Sequence, residues 1–335
     1  MAMNNDDYDY IHDKAESEAE THIDKTALHY AAAFTTLTFC ISLSGNSFLL
    51  WVLRMERPWK TTSDLLLLQL TISNLCFTLT LPFAACNELH EWIFGEWTCG
   101  VGIGIYYLGL FTSVVILTAM PLYYYVTVIQ ASCLSVWVSR QYSVRVASVV
   151  MWLVCAAASI KLSVSSKVVE FGSSKVCVTL VESKTMELFD MYMEICLFFL
   201  IPFLIITFCY VHIWIMVKQG RINSHQQPSK LILWITVGTF LCLAPYNVHI
   251  FIQSLLILDV RMHTHEVIYA LHYTWFIINP MTHTFCCLSP LVHIIGAQRF
   301  RRHLPMPCNK LSLCRDESDN DGSMAFIPLQ NAEEM

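Results

Sequence analysis

FFLIPFLIITFCYV, residues 198–211, runs for fourteen positions without a formal charge. Such a segment is hard to keep in water. It lies inside a longer apolar stretch, 191–217, which as a helix can cross about 30 Å of hydrocarbon. Six more stretches of that kind occur in the chain, at 28–52, 65–85, 101–129, 147–162, 231–257 and 267–295. In hydrocarbon every backbone amide must be satisfied within the protein, and a helix does that locally. The expectation is an all-α membrane protein: a seven-transmembrane helix bundle with a short amphipathic helix after the last span. Three regions follow: an acidic arm at 1–27, the spans at 28–296, and a juxtamembrane helix with a tail at 297–335.

The composition agrees. Of 335 residues, 55% are hydrophobic and 14% charged, with mean hydropathy +0.51. A soluble domain carries about 25% charged residues. Here the charges gather at the joints between apolar runs, unlike the buried strands of a soluble fold.

Those joints set an orientation. With the N-terminus outside, thirteen of the 20 basic residues fall on inner joints, among them Arg54, Arg140, Lys218 and Arg299. The other seven, such as Lys161 and Arg261, fall outside or at outer helix ends. Only this orientation makes the interior positive. It places the N-terminus outside and the C-terminus in the cytoplasm of a multi-pass protein of the plasma membrane. No apolar core precedes the first span, so that helix is expected to insert itself rather than follow a cleaved signal.

The arm holds eight acidic residues (Asp6, Asp7, Asp9, Asp13, Glu16, Glu18, Glu20, Asp24) against Lys14 and Lys25. It reads as a disordered segment whose field attracts a basic partner, or else as a solubilising leader. No basic stripe suggests nucleic acid.

Most of the fourteen cysteines lie within spans, where the side chain is a small apolar filler. Cys99 and Cys177 differ. One opens the third span on the outer side and the other follows the fourth span, so both face an oxidising space and a disulfide is expected.

Polar residues inside spans need partners. Asn46 and Asn74, near mid-depth on adjacent spans, suit a shared contact or simple interhelical packing. Pro82, Pro121, Pro202, Pro245 and Pro290 each remove a helix hydrogen bond, which suggests a bundle built to flex. No metal set, catalytic carboxylate pair or phosphate loop appears, so no enzyme activity, metal or cofactor is expected. Transport is disfavoured because no repeat is present and Glu194 is the main charge at mid-depth.

Several segments resemble the rhodopsin-like seven-helix receptors, and within them the chemokine receptors. They are GNSFLLWVL at 45–53, LTISNLCFTLTLPF at 70–83, FCYV at 208–211, LCLAPYN at 241–247, and CCLSP followed by FRRHL. Cys99, Trp152, Cys177 and Pro202 stand at fitting intervals. GNSFLLWVL and PYNVHIFIQSLL are most similar to the XC-type (lymphotactin) receptor, and SNLCFTLTLPF to the atypical branch. The resemblance implies an extracellular basic chemokine as ligand and an inhibitory-type G protein or arrestin as partner. Tyr8 and Tyr10, flanked by Asp6, Asp7 and Asp9, would make first contact and look like sulfation substrates. The ligand's N-terminus would then enter near Tyr106, Tyr107 and Tyr246.

The same resemblance exposes departures. The family's aspartate-arginine-tyrosine falls on Tyr123, Tyr124 and Tyr125, and a tyrosine cannot offer the five donors of a fixed cation. The second-helix aspartate is Asn74, which implies weaker sodium binding. The sixth-helix tryptophan is Leu243, ahead of Pro245. Asparagine-proline-x-x-tyrosine becomes Ser289, Pro290 and, at its end, His293, whereas Tyr210 is kept. Pro121 is expected to disturb the inner turns of the third span. The pocket glutamate falls on Asn279 and the second-helix tryptophan on Ala84, so a cationic ligand terminus should meet less attraction there. A second outer disulfide has no cysteine at either end. In the tail, Cys308 and Cys314 are either palmitate carriers near the bilayer or idle thiols. These departures keep two functions open: a receptor signalling through an inhibitory-type G protein with coupling in doubt, and an atypical receptor that scavenges or presents ligand without coupling.

Overall fold

The computed structural model describes residues 5–55, 61–89, 92–129, 141–171, 174–180, 183–221, 230–258 and 265–303, with side chains from Thr26 onward except at 128–129, 141, 171, 174, 265–266, 268 and 298. Helix α1 runs Asn5–Met55, α2 Thr62–Thr78, α3 Leu81–Leu89, α4 Gly95–Ile129 and α5 Gln141–Ser165. A hairpin of β1 (Ser166–Phe171) and β2 (Ser174–Thr179) follows. Beyond it come α6 (Lys184–Ile195), a π-helical turn (Cys196–Leu200), α7 (Ile201–Lys218), α8 (Lys230–Leu258), α9 (His265–His283), α10 (Phe285–Gly296) and the short α11 (Gln298–Arg301).

Six of these units are long and apolar enough to cross a membrane: 26–55, 62–89, 95–127, 142–165, 184–218 and 230–258. The seventh crossing is α9 followed by α10. A break at Thr284 divides it into 19 and 12 residues; the first half is diluted by His265, Glu266, His272, Asn279 and His283, and the second is too short to cross alone. The chain is thus a seven-helix membrane bundle with a short helix after the last span.

The distribution of side chains fits a lipid surround. Leu153, Leu204 and Trp234 are exposed on the outside, while Ser42, Asn46, Ser73, Asn74 and Ser113 are buried within. In hydrocarbon the bundle interior is where polar groups find partners. α4 is the central post and packs against α2, α5 and α7. Its backbone comes closest to α2 at Gly109, where a Cβ would stand 2.7 Å from the Phe77 nitrogen and 2.9 Å from the Ser73 carbonyl oxygen. Leu49, Leu53, Leu70, Ile116, Leu117 and Phe300 form the core toward the tail end. Phe77, Phe111, Val114, Phe240, Leu243 and Phe285 fill the middle.

Several prolines mark irregularities. The second span breaks at Leu79–Thr80, just ahead of Pro82, and the Thr80 hydroxyl caps the Phe77 carbonyl at 2.7 Å. Pro202 follows the π-helical turn of the fifth span, where Ile201 N–H reaches back to the Cys196 carbonyl. That wider turn gives the proline ring room that an α-turn would deny it.

Two expectations are corrected. Pro121 does not disturb the third span: α4 continues through it to Ile129. Neighbouring helices support a span at the single hydrogen bond a proline removes. Nor is the acidic arm disordered from Asn5 on, because α1 is one helix of 51 residues. Glu, Ala and Lys favour helix, and extending an existing span avoids the cost of nucleation.

Candidate functional site: a chamber at the hairpin end

Disulfide Cys99–Cys177 fixes the hairpin to the start of α4, with Cα atoms 5.6 Å apart. Two further bonds seat it. Trp92 N–H donates to the Lys175 carbonyl at 2.6 Å, and Cys177 N–H donates to Asn87 Oδ1 at 3.3 Å. The hairpin itself pairs in register from Ser166–Thr179 to Phe171–Ser174. Nothing in the sequence reading anticipated these strands, although SKVVEF and SKVCVT carry the paired valines that strands favour.

Below the hairpin, aromatic and acidic side chains from five spans meet. Tyr106 and Tyr107 project from α4, their rings 5.2 Å apart. Tyr246 of α8 donates its hydroxyl hydrogen to Glu194 Oε1 of α6 at 3.2 Å, and Tyr107 lies beside that hydroxyl. Asn279 of α9 donates from Nδ2 to Glu88 Oε1 of α3 at 3.0 Å. His283, fully buried, meets Thr35 Oγ1 through Nδ1 at 3.3 Å and packs on Phe77 and Tyr106. Tyr106 interacts electrostatically with both Glu88 and Glu194. Ala84 lies half-buried in α3, one helical turn before Glu88.

The structure therefore brings Tyr106, Tyr107, Tyr246 and Asn279 to one chamber. Glu88 and His283 are its unforeseen members. Glu88 sits at the end of an apolar run, where a single acid reads as a boundary charge. A small cavity continues toward the middle of the bundle between Phe111, Glu194, Phe198, Leu243, Tyr246 and Asn247. Leu243 is buried at this level, and Pro245 lies within an unbroken α8. The arm residues Asp6, Asp7, Tyr8, Asp9 and Tyr10 have helical backbone, but their side chains lie outside the described residues.

At mid-depth a neutral network joins the spans. Asn46 Nδ2 donates to the Ser42 and Cys286 carbonyls at 2.9 and 3.0 Å, and Asn74 Nδ2 reaches Asn46 Oδ1 at 3.5 Å. Ser113 Oγ donates to Asn74 Oδ1 at 2.9 Å and lies 3.0 Å from Ser73 Oγ. Ser289 is buried beside Pro290, whose Cβ would lie 2.7 Å from one added at Gly45.

Toward the tail end, Tyr124 packs against the Leu49–Leu70–Ile116 core and bonds to Ser63. Tyr123 meets Tyr124 edge-on, while Tyr125 touches Phe208 and His212. Tyr210 Oη is buried without a hydrogen-bond partner. His293 turns its Nδ1 to the Ser289 carbonyl at 2.9 Å and its edge to Phe300. Cys308 and Cys314 lie outside the described residues. Among the described residues no group of His, Cys, Asp and Glu is arranged to hold a metal ion.

Comparison with known proteins agrees with this architecture. The family described as 7 transmembrane receptor (rhodopsin family) matches residues 45–293. C-C chemokine receptor type 8 of Mus musculus is 31% identical over 281 residues, covering 82% of this chain and 78% of that one. Chemokine XC receptor 1 of Homo sapiens is 28% identical, covering 89% and 88%. Atypical chemokine receptor 2 of Mus musculus is 27% identical, covering 80% and 71%. The chain belongs to the rhodopsin family of seven-helix receptors and, within it, to the chemokine receptors. It is accordingly a receptor of the membrane and not an enzyme. The XC-type and atypical likenesses both recur among these relatives, and a C-C type stands beside them at similar identity.

Proposed function

We propose that this chain is a plasma-membrane receptor for a basic, chemokine-like protein, with the acidic arm outside and the basic tail-end joints in the cytoplasm. The chamber of Tyr106, Tyr107, Tyr246, Glu88 and Glu194 carries the reading, because aromatic faces and carboxylates together suit an apolar, cationic peptide end. The arm steers the ligand, sulfation of Tyr8 and Tyr10 strengthens that field, and the ligand's terminus enters the chamber. Palmitate on Cys308 and Cys314 would hold the tail to the bilayer.

Signalling through an inhibitory-type G protein is the family's route, and here it is weakened. Tyr124 supplies one hydroxyl where a guanidinium would supply five donors, and that hydroxyl already bonds to Ser63. The same observation favours a second reading, an atypical receptor that takes up or presents ligand without G-protein exchange. Arrestin is the remaining inner partner.

One experiment separates the two: G-protein dissociation and fluorescent-chemokine uptake, read from the same cells at matched surface expression across a chemokine panel. Dissociation above receptor-free cells supports signalling. Saturable uptake without dissociation supports ligand handling. Neither response to any chemokine would overturn the ligand class.

A further inference from the structure

We propose that Glu88 is the anionic anchor of the chamber, binding an ammonium group of the ligand, with Asn279 as the residue that positions it. This deepens the receptor reading above and rests on it for the claim that a ligand enters here.

The carboxylate is held by one oxygen only. Asn279 donates to Oε1 at 3.0 Å, whereas Oε2 is buried and accepts no hydrogen bond. The Thr35 hydroxyl lies close to Glu88 and shares a 3.3 Å contact with His283 Nδ1 whose direction follows the imidazole tautomer. A buried carboxylate oxygen with no donor is costly unless a cation or donor reaches it.

Among the described residues no cation is seen to do so. Among the described residues, no Lys or Arg pairs with Glu88 or Glu194, and Lys161, the nearby base at this end, is engaged by Asp190. Two carboxylates therefore share one chamber, with Tyr246 donating to Glu194, Asn279 donating to Glu88 and the Thr35 hydroxyl close to Glu88. Tyr106, which interacts electrostatically with both carboxylates, packs on Phe77 with ring centroids 4.7 Å apart, and an aromatic face favours a cation. On this proposal a ligand cation would meet a carboxylate here although residue 279 is an asparagine. The acid comes from the second span, and the asparagine orients it.

The test uses the full chain in lipid nanodiscs with phenethylammonium as the probe and 2-phenylethanol as its uncharged counterpart. Thermal unfolding is followed at neutral pH. The ammonium is expected to raise the midpoint and the alcohol to leave it, with Glu88→Gln weakening the ammonium response at least tenfold. Glu88→Gln combined with Asn279→Glu returns a carboxylate to the same spot and is expected to recover the response. That recovery keeps the test decisive if the single variant folds poorly. Equal response to both probes in the parent chain, or an undiminished ammonium response in Glu88→Gln with no effect of the exchange, would overturn the proposal. Labelled chemokines are tested separately on the parent chain. If none binds, the chemokine reading fails while the ammonium response still decides the role of Glu88.

Discussion

Arg299 Nη1 donates to Asp64 Oδ1 at 2.7 Å, tying the short helix after the seventh span to the first turn of the second. The Thr61 hydroxyl donates to the other carboxylate oxygen at 2.7 Å and accepts from Asp64 N–H at 3.2 Å. Asp64 thus completes a helix cap and an ion pair together. Both partners are partly exposed, so the ion pair contributes about 1 kcal/mol or less. The cap adds about 1 kcal/mol. Asp64→Ala is expected to lower the unfolding midpoint in detergent more than Arg299→Gln does. Equal losses would mean that the Thr61 hydroxyl bond to the Asp64 carboxylate contributes nothing, since the backbone cap at residue 64 survives in both variants.

The Cys99–Cys177 bridge closes a loop of 78 positions and is the firmest tie between hairpin and bundle. On the loop-entropy scale such a crosslink stabilises by about 4.5 kcal/mol. Cys99→Ser, Cys177→Ser and the double variant are expected to lose similar amounts of stability and of chemokine capture, because either change opens the same loop. A single variant that keeps full capture at matched surface level would show that the hairpin holds its place through Trp92 and Asn87 alone.

Apolar run length and residue order made the seven spans legible in the sequence, since hydrocarbon leaves a segment little choice but helix. Cys99 and Cys177 were legible too, from topology and redox compartment. Glu88 was not. Its meaning depends on Asn279, 191 positions away, and no local pattern couples the two. The interior of α4 at Pro121 was misread because local helix chemistry ignores the support of neighbouring spans. The continuation of helix into the arm was misread for a related reason. Charge content argued for disorder, while attachment to α1 removed the nucleation cost that disorder exploits.

At mid-depth the network through Asn46, Asn74 and Ser113 is wholly neutral. A sodium ion there would lose its water to amides and hydroxyls without an opposing charge. Unfolding of the parent chain is therefore expected to be the same in sodium chloride and potassium chloride. Asn74→Asp introduces a carboxylate against Ser113 Oγ, and its midpoint should fall in potassium and recover in sodium. The unpaired charge costs about 3 kcal/mol or more. Recovery in potassium as well would indicate a proton, rather than the sodium ion, as the charge's partner.

Tyr124 stands at the tail end of the third span. Its hydroxyl bonds to Ser63 and its ring packs on the Leu49–Leu70–Ile116 core, so the side chain is committed within the bundle. Replacing it by Arg alone would place an unbalanced cation beside apolar neighbours. Tyr123→Asp with Tyr124→Arg supplies the balancing acid on the adjacent residue. Charge-assisted hydrogen bonds contribute about 1.5–3 kcal/mol each, which corresponds to roughly tenfold or more in an equilibrium. The double variant is expected to raise chemokine-driven G-protein dissociation by at least that factor at matched surface expression, and Tyr124→Arg alone by less. Tyr124→Phe should leave dissociation at the parent level, since the phenol contributes little to the partner. An unchanged response in the double variant would move the defect elsewhere: to Leu243 below the chamber, or to His293, whose ring is held by the Ser289 carbonyl and Phe300. The inner end would then stay shut for want of a movable seventh span rather than for want of a charge.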